Sequence, residues 1–306
     1  MQTSTRIYTY FTTRIALLSG VLMLVMAGVA CSPNAMMPAT NAVTIATFNM
    51  EWLGDGSSDD VKPRTEEDYK NMADVIRMLR ADIIGVEEVE SEAAMKRVMK
   101  YLDGYSVSIG SSARQQNVGV IYRNTVSVSE PREYMPVAVR PDRNRPGYTV
   151  RCKKGNLDWM MMVVHFKSTS RADSTPELRA DAIQNRKQQS EVASKWADSV
   201  AASGERDVLI IGDLNDYPKR EQNPTLTALI QNNNLTFLTA DLKSCMRDNW
   251  SSIDHIIATK QMAARMIPAS MNHFSFSAMF SKETAKNISD HCPVFIQFSI
   301  SEPDND

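Results

Sequence analysis

Short apolar runs that stop abruptly at polar residues recur along this chain. The clearest lies at residues 207–216, where Val208, Leu209, Ile210 and Ile211 lead through Gly212 into Asp213, Leu214, Asn215 and Asp216. An unbroken aliphatic run of this kind predicts a strand covered on both faces. Residues 43–49 alternate β-forming residues and end at Asn49, and residues 81–90 end in Glu87, Glu88 and Glu90. A further strand is predicted at 117–123. Residues 148–151 and 159–164 read as a hairpin turning at Lys154, Gly155 and Asn156, and its second strand runs into His165. Residues 251–258 carry Asp254 near their start, and Asp290 and His291 precede a closing strand at 294–300. Between these strands, residues 66–80 place Tyr69, Met72, Ala73, Ile76 and Leu79 on one helical stripe. Ser91 can N-cap a second helix, residues 177–200 form a long amphipathic one, and 225–231 a short one. Strands alternating with helices predict one α/β domain over residues 43–301, followed by a tail at 302–306.

A strand that ends in polar groups delivers them, rigidly held, to one rim of a sheet, where α/β scaffolds form their sites. Any single strand-end Asp, Asn or His is usually a cap or a structural hydrogen bond. Here six segments end this way: Asn49, Glu88, His165, Asp213 with Asn215, Asp254, and Asp290 with His291. One rim that collects all six is a simpler account than six separate accidents.

Composition changes the picture little. The chain has 306 residues, 43% hydrophobic and 23% charged, with a net charge of -2, which excludes a generally basic nucleic-acid coat protein but not a local basic cleft. The first residues change it more. Arg6 and Arg14 precede an apolar run at 15–27, which leads through Gly28, Val29 and Ala30 to Cys31. This is the secretory pattern, and the run is too short for a transmembrane helix, which needs about 20 residues. Cys31 after small residues resembles the lipobox of bacterial lipoproteins. It implies a signal peptide at 1–30, a lipidated Cys31 attached to the membrane, and a tether at 32–42 containing two prolines. A conventional signal peptidase site and an uncleaved anchor are the alternatives, since Gly28 stands where lipoproteins most often have Leu. The expected location is extracytoplasmic. Cys152, Cys245 and Cys292 allow one disulfide in an oxidising envelope and leave at least one thiol.

Carboxylates without metal-spaced Cys or His favour a hard cation on oxygen ligands, Mg²⁺ or else Mn²⁺ or Ca²⁺. Glu88 is the foremost ligand candidate, with Asp290 and Asn49 next. The remaining histidines and acids suit phosphate ester hydrolysis, which must neutralise phosphoryl oxygens, orient water and protonate a leaving group.

Seven segments in order resemble the endonuclease/exonuclease/phosphatase, or DNase I-like, superfamily. They are the stretches ending at Asn49, at Glu88 and Val89, and at Tyr122, then His165 to Ser168, Gly212 to Asp216, Ile253 to His255, and Ser289 to Pro293. The resemblance implies a four-layer α/β sandwich, two mixed sheets face to face with helices outside. It implies Glu88 as the metal glutamate with Asn49 and Asp290 nearby. Asp213 would orient or deprotonate water, and Asn215 would hold a phosphate oxygen. His291 would contact the scissile phosphate, oriented by Asp254, and His165 would be the general acid. Two positions depart from the family: Glu87 stands where many members have Gln, and Gln116 lies where the DNase I branch has a glutamate that orients its histidine.

Substrate choice lies in loops. Arg114, Arg123, Lys167, Arg171, Lys219 and Arg220 sit near motif loops, and residues 140–145 hold three arginines and a proline, with Pro146 next. Arg123, Lys167 and Tyr122 are expected to bind substrate. The leading expectation is a monomeric, envelope-anchored, Mg²⁺-dependent nuclease with nucleic acid as substrate. The alternatives are a phosphodiesterase or phosphatase for lipid headgroups or small esters, and a non-catalytic binding lipoprotein. A phospholipase would expose an apolar hairpin, for which Phe274, Phe276, Met279 and Phe280 are the nearest material.

Overall fold

The elements follow the alternation seen in the sequence. In the computed structural model they are β1 (Ala42–Leu53), α1 (Glu66–Leu79), β2 (Ile83–Val89), α2 (Glu92–Met99), β3 (Tyr105–Ile109), β4 (Asn117–Arg123), β5 (Ser127–Tyr134), β6 (Gly147–Lys154), β7 (Leu157–His165) and α3 (Pro176–Ala202). They continue with β8 (Val208–Asp213), α4 (Thr227–Ile230), β9 (Leu235–Phe237), β10 (Asp254–Thr259), α5 (Lys260–Ala264), β11 (Asn272–His273), α6 (Lys282–Ile288) and β12 (Val294–Ser299). The structure describes residues 41–306 apart from Asp248 and Asn305. The expected signal peptide, Cys31 and nearly all of the tether lie outside the described residues.

Local signals set the helix ends. Thr65 and Asp68 form a reciprocal capping box at the start of α1, and Arg80 closes that helix in the left-handed conformation. Ser91 caps α2 as expected, and Thr175 caps α3 with Pro176 in its first turn. No helix among the described residues is long and apolar enough to cross a membrane.

Two six-stranded mixed sheets result, in the orders β11-β12-β1-β2-β4-β3 and β5-β6-β7-β8-β10-β9. Strands β1 and β2 are parallel, as are β7 and β8, and the other pairings are antiparallel. Alternation along each strand divides the core into three layers. Val43, Ile45, Ile83, Val163, Leu209, Ile211 and Ile256 meet between the sheets. Phe48, Met50, Ile84 and Val86 face α1, α2 and α6, while Val208 and Ile210 face α3. The sandwich is the expected one of four layers. Gly85 lies where the sheets approach closely, because a Cβ there would lie 2.7 Å from Ile211 Cδ1.

Strands β3 and β5 carry no clear sequence signal, and both are incompletely buried edge strands. Phe274 and Phe276 pack in the core beside Phe48 rather than forming an exposed apolar hairpin.

Candidate active site

Register alone brings the first residues together. In the second sheet His165 lies opposite Asp213 on parallel strands, and Asp213 lies opposite Asp254 on antiparallel ones. In the first sheet Asn49 pairs with Glu87 at the same rim. Gly212 makes the close strand approach possible. Its φ is +138°, and a Cβ would sit 1.9 Å from the Val164 carbonyl oxygen, so no other residue fits without moving the backbone.

Glu88 reaches the site through an irregularity. Simple alternation would send it, like Ile84 and Val86, to the helix-covered face. The pairing of β2 instead shifts register between Val86 and Val89, and Glu88 adopts a φ of +58°. This bulge turns its carboxylate into the cleft. The facing end of β1 is also irregular, with φ of +45° at Glu51 and +55° at Trp52. Arg64 braces it, donating to the carbonyls of Met50, Glu51 and Trp52, and to those of Asn287 and Ile288 before β12.

The side chains then form one network. Asn49 Nδ2 donates to Asp213 Oδ2 at 3.1 Å and to Glu88 Oε1 at 3.3 Å. The Trp52 amide donates to Glu88 Oε2, and the Asn215 amide to Asp213 Oδ1. His165 Nε2 is 3.6 Å from both Glu88 Oε1 and Asp213 Oδ2. His291 Nδ1 faces both oxygens of Asp254, and its Nε2 points toward Asp213 at 3.9 Å. Ser289 holds this end in place, its hydroxyl donating to Asn49 O and accepting from the His291 amide.

Burial and charge give these groups different protonation. Burial acts to lower the basicity of His291, but the charge and hydrogen bond of Asp254, with Asp213 and Asp290, outweigh it and raise its pKa well above the ordinary value. Burial, with the positive charges of Arg145, His291 and Lys167, pushes His165 well below it, so this ring is neutral near pH 7. Burial lifts the Asp213 carboxyl to about 7 although His291 pulls it down. Glu87 is fully buried and accepts from the Thr47 hydroxyl at 2.6 Å, and burial raises its carboxyl well above the ordinary value.

Residues 46–291 match the model of the endonuclease/exonuclease/phosphatase family. The chain belongs to this family. Its fold is shared by TDP2 of D. rerio complexed with single strand DNA product, at 14% identity and a TM-score of 0.61 over 84% of this chain and 99% of that one. It is also shared by the mannosyl-6-phosphatase of Bacteroides thetaiotaomicron, at 14% identity and a TM-score of 0.59 over 83% and 98% of the two chains. A family member from Bacteroides vulgatus is 16% identical, with a TM-score of 0.59 over 85% and 99%. No curated protein sequence matches the chain significantly.

Endonuclease/exonuclease/phosphatase enzymes are phosphoester hydrolases and typically depend on a divalent metal. The donors in this cleft fit such an ion. They are hard oxygens, and among the described residues neither Glu88 nor Asp213 forms an ion pair with Lys or Arg. Donor atoms of Asp213, Asp254 and His291 also lie within 4.8 Å of one another. Both Asp254 oxygens are committed to His291, so Glu88, with Asn49 and the exposed Asp290, would hold the metal, and Asp213 stands beside it.

The other expected site residues fall in different places. Asn215 reaches the rim with a φ of +50°, and its side-chain Nδ2 donates to Phe166 O. Lys167 stands beside the cleft but is paired with Asp173 at 3.0 Å. Tyr122 and Arg123 are a correction. Strand β4 runs antiparallel to β2, and Tyr122 pairs with Ile83, five residues from Glu88 and roughly 16 Å away at the other rim. Arg123 there donates to Ala81 O and covers the Tyr105 ring. The start of the strand, Asn117, lies at the site rim instead.

Arg145 is the cationic neighbour that sequence reading did not single out. It bonds Gln116 and approaches the His165 carbonyl, and Glu88 and Asp213 act on its charge. Gln116 is thereby engaged, and among the described residues His165 Nδ1 has no hydrogen-bond partner.

A cavity of about 770 Å³ opens beside His291 and Asp254, walled by residues 243–247 and 249–252 and by Tyr217 and Arg220. A Cys245–Cys292 disulfide joins that wall to the residue after His291, and Cys152 is a buried free thiol.

Proposed function

We propose that this protein is a divalent-metal-dependent nuclease that hydrolyses phosphodiester bonds. The observation that carries the reading is the meeting of Glu88, Asn49, Asp213, His165 and the Asp254–His291 pair in one cleft. A bound divalent ion, held by Glu88 with Asn49 and Asp290, would neutralise phosphoryl oxygens. Asp213, its carboxyl lifted to about 7, takes the proton of the attacking water. The Asn215 and Asn49 hydrogen bonds fix its two oxygens. His291, kept protonated by Asp254, presents positive charge to the scissile phosphate from Nε2. Neutral His165 contributes a hydrogen bond rather than a charge, and Arg145 offsets the acidity of the cleft.

In this reading the protein works outside the cytoplasm, tethered to the membrane through Cys31 and acting as a monomer. The Cys245–Cys292 disulfide supports the oxidising compartment.

The test is the purified protein with Mg²⁺ on plasmid DNA, single-stranded DNA and RNA. Cleavage should be abolished by EDTA and by His291→Ala. A second reading, a phosphatase for small esters, is favoured by the cavity beside His291, whose size suits one small ligand. Intact nucleic acid together with phosphate release from sugar phosphates would replace the first reading with the second.

A further inference from the structure

The wall of the cavity is a closed loop with its own chemistry. Lys243 pairs with Ser251, the Ser244 amide donates to Trp250 O at 2.9 Å, and the Ser252 amide to Leu242 O at 2.9 Å. Cys245 near its tip is bonded to Cys292, so the loop is covalently fixed one residue from His291. Trp250 on this loop is 54% exposed, although large aromatics are usually well covered. The Arg247 guanidinium lies 4.1 Å from its ring centre. Tyr217 belongs to the same cavity, with Arg220 4.5 Å from its ring. None of these side chains enters the network of phosphoryl-site hydrogen bonds.

We propose that Trp250 is a specificity-determining residue, stacking on the nucleobase next to the phosphate held at His291, and that the Cys245–Cys292 disulfide positions it. The proposal rests on the nuclease reading. An indole offers a flat apolar face to any base, which is how single strands are held without sequence preference. Arg247 on the ring adds a cation within reach of the strand's phosphates. A disulfide one residue from His291 fixes the distance between the stacking platform and the phosphate, a distance that a free ten-residue loop would not keep.

The test compares kcat and KM of the intact protein and its Trp250→Ala, Trp250→Phe and Cys245→Ser variants on a single-stranded oligonucleotide. A second substrate of equal length carries abasic residues throughout. Trp250→Ala should raise KM about tenfold on the ordinary oligonucleotide with kcat within twofold, and Trp250→Phe should restore it. On the abasic strand the variants and the unmutated protein should have the same KM. Cys245→Ser should raise KM on the ordinary strand with an unchanged circular dichroism spectrum. An unchanged KM in Trp250→Ala, or an equal loss on the abasic strand, overturns the stacking role. An unchanged KM in Cys245→Ser overturns the positioning role of the disulfide. Failure of the unmutated protein to cleave either strand sinks the nuclease reading, and this proposal with it.

Discussion

Both carboxylate oxygens of Asp254 lie against the same nitrogen of His291, at 2.9 and 3.0 Å. That contact holds the ring in one orientation and supplies the charge that keeps it protonated despite burial. Asp254→Asn keeps the shape and removes the charge. The expected result is a loss of about 10²–10³ in kcat with KM little changed, since the interaction matters most as charge builds on the phosphate. Steady-state kinetics on a cleaved oligonucleotide checks it, and an unaltered kcat would refute the role.

In the proposed reading Glu88 supplies a carboxylate to the divalent ion. Glu88→Gln keeps the side chain's shape, can accept from only one of the Asn49 and Trp52 donors, and removes the negative charge. Activity should then need at least tenfold more Mg²⁺ for half-saturation, with the melting temperature in EDTA nearly unchanged. Titration of activity against Mg²⁺ decides this, and an identical curve would remove Glu88 from the ligand set.

Glu87 stands where a charge would be harmful, between the sheets and near Asp213 and Asp254. Burial raises its carboxyl well above the ordinary value, which favours the neutral form, close in shape to a glutamine. Glu87→Gln should therefore alter neither kcat nor stability at pH 7 by more than about 1 kcal/mol. Glu87→Ala leaves a void and orphans the Thr47 hydroxyl, which should cost about 2–3 kcal/mol in urea unfolding. Equal melting of the two variants would contradict the account.

At the opposite rim, burial raises the Glu205 carboxyl from an ordinary 4.5 to about 7, even though Arg151 Nη1 lies 2.7 Å away. The folded state then binds this proton more tightly than the unfolded chain. Its contribution to stability is complete below pH 4.5 and is lost as pH rises to about 7. Glu205→Gln should flatten that part of the stability curve by on the order of 2 kcal/mol. Urea midpoints at half-unit pH steps measure it, and parallel curves for the two proteins would disprove it.

Much of this was legible from residue order. The strands that end in Asn49, His165 and Asp213 are marked by apolar runs breaking at polar residues, and the seven ordered segments point to the sandwich. What was not legible is direction and distortion. Nothing in residues 117–123 says that the strand runs against β2, so Tyr122 and Arg123 looked like a strand end at the site when Asn117 is the residue there. The bulge that turns Glu88 inward has no glycine to announce it. Three arginines within residues 140–145 gave no means of choosing Arg145, and Arg64 gave none at all, because its carbonyl partners near residue 287 are set by tertiary packing. Cys152, Cys245 and Cys292 left every pairing open until Cys245 and Cys292 met.

The left-handed backbone at Glu88 makes usefulness and sturdiness opposing properties at that position. A side chain is tolerated there at a cost of about 1 kcal/mol, which glycine would relieve. The partly exposed Trp52 amide, released from the carboxylate, can turn to water. Glu88→Gly should therefore melt higher than the parent and cleave nothing, so selection for robustness alone would erase the chemistry here first.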